Sequence, residues 1–131
     1  MNKDITHIND IRHLVDTFYR RVIEDDVIGY FFTSVVALDF EKHLPVMYQF
    51  WETILLGNAA YKGNPVQKHL DLHQREPLKE YQFDRWLALW NGTVDDLFEG
   101  KNASQAKQKA KTMKELMLAK IKFMNKPGAV Q

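Results

Sequence analysis

The chain contains no cysteine, which excludes a disulfide framework, a thiolate metal site and a cysteine nucleophile. No apolar run approaches the length needed to cross a bilayer. The start, Met1-Asn2-Lys3-Asp4-Ile5-Thr6, lacks the apolar stretch of a signal peptide. A soluble, cytoplasmic protein without a membrane partner is the expectation. Alternation of apolar and polar residues is missing, as are hairpin dipeptides between β-branched runs, so strands are not expected. There are no repeats, no low-complexity segments and no internal boundary. The 131 residues, 45% of them hydrophobic, form one domain over 1–131 with enough apolar surface for a real core. Residues 1–8 and 125–131 are expected to be loose ends.

Net charge is also nearly absent, at +1, but it is unevenly spread. From Gly100 to Gln131 there are eight Lys against Glu115 alone, which leaves +7 there and −6 in the rest. A basic stripe can bind nucleic acid or an anionic membrane. No aromatic residue interleaves with the lysines between Lys101 and Lys122, however, so a stacking surface for bases is lacking and nucleic acid is not an expected partner. A solvated helix face is the simpler reading.

What is present is helical periodicity. The first helix is expected from about Asn9 to Glu24, capped by Asn9 or Asp10, with Ile11, Leu14, Val15, Phe18 and Val22 on one face and Tyr19 at its edge. Val27 to Phe32 reads as one helical turn. A second long helix lies between Asp39, a candidate cap, and Gly57, a stop. Pro45 either delays its start to Leu44 or kinks it. Its apolar face is His43, Met47, Phe50, Trp51 and Ile54, with His43 and Met47 one turn apart. Gly63-Asn64-Pro65 then opens a short helix carrying His69, with Pro65 at a first helical position. A third long helix spans about Tyr81 to Phe98, with Phe83, Trp86, Leu87, Trp90, Val94 and Leu97 inward. A fourth runs from about Ser104 to Met124, with Ala106, Ala110, Met113, Met117, Ile121 and Met124 on one side.

The polar residues on the apolar stripes are the informative ones. An imidazole flanked by Val66, Leu70 and Leu72, as at His69, can be a core histidine, a metal ligand or the axial ligand of a haem. His69 and His73 are spaced for zinc on one helix face, but no Glu stands beside His69 and a third ligand would have to come from elsewhere. Tyr19, His43, His69 and Trp86 sit on four different elements. Together they suggest a shared pocket. A helical interaction module without a cofactor remains an alternative at this stage.

The ordered series His43-Leu44-Pro45-Val46-Met47-Tyr48-Gln49-Phe50-Trp51, Leu55-Leu56-Gly57, Tyr61-Lys62-Gly63-Asn64-Pro65 and His69-Leu70 resembles the truncated haemoglobins, group III in particular. Phe18-Tyr19, Phe83-Asp84-Arg85-Trp86-Leu87-Ala88-Leu89-Trp90 and Thr93-Val94-Asp95-Asp96-Leu97-Phe98 fit the same pattern, which covers about Val15 to Ala110. The paired glycines of the other groups are missing. His73 stands where relatives often carry proline, a departure that bears on the path after the short helix.

The resemblance implies an all-α truncated globin, a two-over-two helical sandwich enclosing haem b. His69 corresponds to the iron ligand. Tyr19, His43 and Trp86 correspond to the distal polar residues that face a diatomic ligand such as oxygen or nitric oxide. Phe18, Phe32, Met47, Phe50 and Trp51 would line or support the haem cavity. Two hydrogen-bond donors, Tyr19 and Trp86, each contributing roughly 1.5–3 kcal/mol to a charged acceptor, would slow ligand escape by about 10²–10⁴. That favours redox or detoxification chemistry, nitric oxide dioxygenation or peroxide reduction with an unidentified electron donor, over oxygen transport. A haem-based sensor is a further alternative, without an output domain in this chain.

Overall fold

The computed structural model describes residues 2–35, 39–58, 61, 63–75 and 77–125. Among them are five α-helices and no strand: α1 (Ile8–Glu24), α2 (Phe40–Leu56), α3 (Pro65–Arg75), α4 (Glu80–Leu97) and α5 (Lys101–Asn125). A five-residue π-helical turn, Phe31–Val35, follows α1 where a single α-turn over 27–32 was expected. Helix α1 packs on α2 and α4, α4 packs on α5, and α3 and α2 both reach α5. The five helices therefore close around one interior, the two-over-two arrangement expected of a truncated globin.

The inward stripe of α1 is as anticipated: Ile11, Leu14, Val15, Phe18 and Val22 are buried. Tyr19, expected at the edge, is buried with them. The cap differs from expectation. His7, not Asn9 or Asp10, is the N-cap: its Nδ1 accepts from the Asn9 amide at 3.1 Å. Asp10 occupies the third helical position and accepts back from the His7 amide at 3.1 Å, a reciprocal cap.

Helix α2 begins at Phe40 and passes through Pro45 without ending. The missing Pro45 amide falls inside the second turn, and the Asp39 carbonyl takes both the Lys42 and His43 amides just before it. Asp39 is the N-cap, but its side chain makes no cap bond. Gly57 stops the helix at φ +76°, a left-handed conformation that suits glycine. Helix α3 starts at Pro65 as predicted, with Asn64 Oδ1 capping the Gln67 amide at 3.1 Å. Lys62, part of the same motif, and the Val66 side chain lie outside the described residues.

Helix α4 buries Phe83, Trp90, Thr93 and Val94, while Trp86, Leu87 and Leu97 of the expected stripe are half-buried. Helix α5 starts three residues earlier than predicted because its first turn is capped from a distance. Asp4 accepts from the Asn102 and Ala103 amides, each at 2.9 Å. Desolvation, the largest single influence on Asp4, raises its pKa, but backbone N–H bonds from Asn102, Ala103, Ile5 and Lys101 together outweigh it and hold the carboxyl below the ordinary value. Gly100, at φ +143°, is needed here, since a Cβ would meet the Asp4 carboxyl carbon at 2.5 Å. Ile5 beside it is fully buried. Residues 2–5, within the segment expected to be loose, are thus docked onto the α4–α5 corner. Residues 126–131 lie outside the described residues, as does the Met124 side chain. The other five predicted α5 positions, Ala106, Ala110, Met113, Met117 and Ile121, are buried.

Candidate haem pocket

The helices enclose a cavity of about 320 Å³ with mostly apolar walls, within the range of small-molecule and cofactor sites. Tyr19, Phe32, His43, Met47, Phe50, Trp51, His69 and Trp86, the residues singled out from sequence, all line it, together with Phe18. Sequence reasoning had placed Phe83, Trp90, Met113 and Met117 only in the core; they line the cavity too. It missed Lys68 and Gln82, which stand on the wall as polar residues. Lys68 carried a signal of a kind, being the residue before His69.

His69 is placed by the first turn of α3. Its Nδ1 lies 2.7 Å from the Pro65 carbonyl. A carbonyl only accepts, so Nδ1 carries the proton and, in the neutral ring, the lone pair is at Nε2. Desolvation lowers the His69 pKa and outweighs the Pro65 bond, which raises it, so the neutral form is favoured. No hydrogen-bond partner meets Nε2 among the described residues. A half-buried imidazole with its tautomer fixed by a backbone carbonyl and its second nitrogen free is the donor that an iron porphyrin requires.

The lining is polar at three further points, Tyr19, His43 and Trp86. The Tyr19 hydroxyl lies 2.9 Å from His43 Nε2, joining α1 to α2. Burial pushes the Tyr19 phenol well above its ordinary value, so it stays protonated. Desolvation, with smaller repulsion from His69 and Lys68, lowers the His43 pKa and keeps that ring neutral. If His43 Nε2 carries the proton, it donates to the Tyr19 oxygen and frees the hydroxyl to donate into the cavity. The Tyr19 ring is held by edge contacts with Phe18 at 5.0 Å, Phe40 at 5.8 Å and Phe32 at 6.4 Å. Trp86 on α4 stands edge-on to Phe18 at 6.2 Å, and its indole N–H has no partner among the described residues. By contrast Trp90, one turn on, stacks on Trp51 at 4.5 Å and donates to the Ala106 carbonyl at 3.2 Å. Trp90 is a packing residue and Trp86 keeps an unspent donor.

The zinc alternative finds no third ligand among the described residues. His73 is buried, and its Nδ1 accepts from the Leu78 amide at 2.9 Å, closing the turn after α3. The departure from proline at 73 is accommodated by an α3 that continues to Arg75. No group of three or more His, Cys, Asp or Glu comes together around a metal site among the described residues. No helix there is long and apolar enough to cross a membrane.

A curated relative, the group 3 truncated hemoglobin ctb of Campylobacter jejuni, is 28% identical over 103 residues, 76% of this chain and 79% of the relative. A crystal structure of the group III truncated hemoglobin from Campylobacter jejuni superposes with a TM-score of 0.80 over 92% of this chain and 95% of that one, at 24% identity. The family profile of the bacterial-like globins matches residues 4–121. With nine-tenths of its length inside that profile and a truncated-globin fold, the chain belongs to the bacterial-like globins, a family whose members bind haem and diatomic ligands.

Proposed function

We propose that the chain holds haem b through His69 Nε2 and retains one diatomic ligand, oxygen or nitric oxide, under hydrogen bonds from Tyr19 and Trp86, for redox or detoxification chemistry rather than transport. The observation that carries this is that one cavity is lined by a tautomer-locked His69, by a Tyr19–His43 pair and by Trp86, whose indole N–H has no partner among the described residues. When bound, haem would supply an iron centre able to take a diatomic molecule.

The chain's own residues do the rest. Tyr19 and Trp86 are neutral donors that stabilise negative charge in a site where water is scarce. His43 orients the Tyr19 hydroxyl through the 2.9 Å contact. Phe18, Phe32, Met47, Phe50 and Trp51 exclude water from the walls. Lys68, an exposed residue of the lining, would offer a cation to the carboxylates of the cofactor. Slow release makes a poor carrier and a good reactant store, so nitric oxide dioxygenation or peroxide reduction, with electrons from a separate donor protein, is the activity this pocket suits.

The test is ligand dissociation by stopped flow in the parent, Tyr19→Phe, Trp86→Phe and the double variant. Each single change should speed oxygen release at least about fivefold, the loss of ~1 kcal/mol. Carbon monoxide carries less negative charge, and its release should change less. Equal changes for the two gases would mean that the substitutions merely opened the pocket, and the donor reading would fall.

A further inference from the structure

The ion pair between Arg85 on α4 and Asp25 at the end of α1 differs from the others among the described residues. Its carboxylate side chain is 3% exposed, whereas the acids of the other pairs range from 14% to 61%. Asp25 Oδ1 accepts from Arg85 Nε at 2.8 Å and from Nη2 at 2.5 Å. Its Oδ2 accepts from the Val27 and Ile28 amides, both at 3.0 Å. One carboxylate therefore fixes two things at once. It sets the turn that delivers Ile28, Phe31 and Phe32 to the cavity wall, and it ties that turn to α4.

Arg85 immediately precedes Trp86. The Trp86 ring is edged by Phe18, and among the described residues no hydrogen bond of its own holds the indole in place. Its aim depends on where α4 stands against α1. We infer that Arg85 is a positioning residue that, through its two-pronged bond to Asp25, fixes the register of α4 on α1 and aims the Trp86 indole N–H into the cavity. This rests on the reading of Trp86 as a donor to the ligand. The planar fork of an arginine matters here, because a lysine would keep the charge but make a single, less directional bond.

The experiment uses the haem-loaded protein in its diamagnetic carbon monoxide form, with ¹⁵N-labelled indoles. The chain has three tryptophans, so three indole N–H signals are expected, and Trp86→Phe identifies one by its loss. In Arg85→Gln that signal should shift or broaden while those of Trp51 and Trp90 stay. Oxygen release should speed about threefold to tenfold, the size of a pairwise coupling, and the increase should vanish in the Trp86→Phe background. Arg85→Lys should fall between. An unmoved Trp86 signal, or the same acceleration with Trp86 already replaced, overturns the inference. Collapse of all three signals would mark lost folding in Arg85→Gln, and Arg85→Lys then decides by the same two criteria. If Trp86→Phe alone leaves oxygen release unchanged, the donor reading fails, while a moved indole signal in Arg85→Gln still supports the positioning role.

Discussion

His69 and His73 stand one turn apart on α3, yet their Nδ1 atoms have opposite tasks. In His69 Nδ1 donates to the Pro65 carbonyl and in His73 it accepts from the Leu78 amide. In its neutral form His69 therefore offers a lone pair at Nε2, and His73 carries a proton there. His69→Ala should abolish stable haem uptake, read as loss of the visible absorption band after haem titration. His73→Ala should keep the band but lower stability by about 1–3 kcal/mol, because the buried Leu78 amide loses its acceptor, read by urea unfolding. Haem lost from the second variant and kept by the first would reverse the assignment. His43 lines the cavity between Tyr19 and the exposed start of α2. His43→Ala should speed ligand association more than it alters the ferrous spectrum. Should a low-spin six-coordinate ferric spectrum in the parent vanish in this variant, His43 is an iron ligand and not a gate.

At the scale of elements, the N-terminus of α5 depends on a residue 97 positions earlier than its first one. Asp4 caps the Asn102 and Ala103 amides, and such caps contribute about 0.5–2 kcal/mol. Asp4→Ala should lower the melting temperature by a few degrees, at roughly 2–8 °C per kcal/mol in this size range. The pH dependence follows from the lowered pKa. The ionised carboxylate is favoured in the folded state, so its contribution is complete above the unfolded value of 3.8 and is lost as pH falls through the lowered folded value. Melting curves of the parent and Asp4→Ala should therefore converge in strong acid. A gap that persists there would mean that Asp4 acts by packing and not by charge. Gly100→Ala should cost more than an ordinary surface change, since the new Cβ would collide with Asp4.

For the whole molecule, the cavity between the helices is the weak point of an unloaded chain. The cavity of about 320 Å³ is lined by Trp51, Trp90, Phe50 and Met117, so a ligand seated there adds contacts to core side chains. A ligand that binds the folded state in preference stabilises it, so haem loading should add up to about 4 kcal/mol at a thousandfold excess over Kd. The check is thermal unfolding with and without haem. Equal melting temperatures would remove the cavity as the binding site. Hydrogen exchange in the unloaded protein should protect α1 and α5 most and α3 least. α1 and α5 carry long buried stripes, whereas α3 presents few buried side chains.

Helix positions and inward faces were legible in the sequence because they depend on local spacing: Ile11, Leu14, Val15, Phe18 and Val22 on α1 repeat at the helical period whatever surrounds them. Pro65 and Gly57 marked a start and a stop for the same reason, as each acts on its own backbone. The ordered motifs from His43 to Trp86 pointed to a truncated globin, and the polar residues on four apolar stripes pointed to a pocket. Two things were decided by tertiary structure alone. The cap of α5 comes from Asp4, a contact across 98 residues that no local pattern announces. The contrast between Trp86 and Trp90, alike in sequence, arises because Ala106 of α5 presents its carbonyl to Trp90 only. Periodicity is a property of neighbours in the chain, whereas hydrogen-bond partners, and so the chemistry of each polar side chain, are set by neighbours in space.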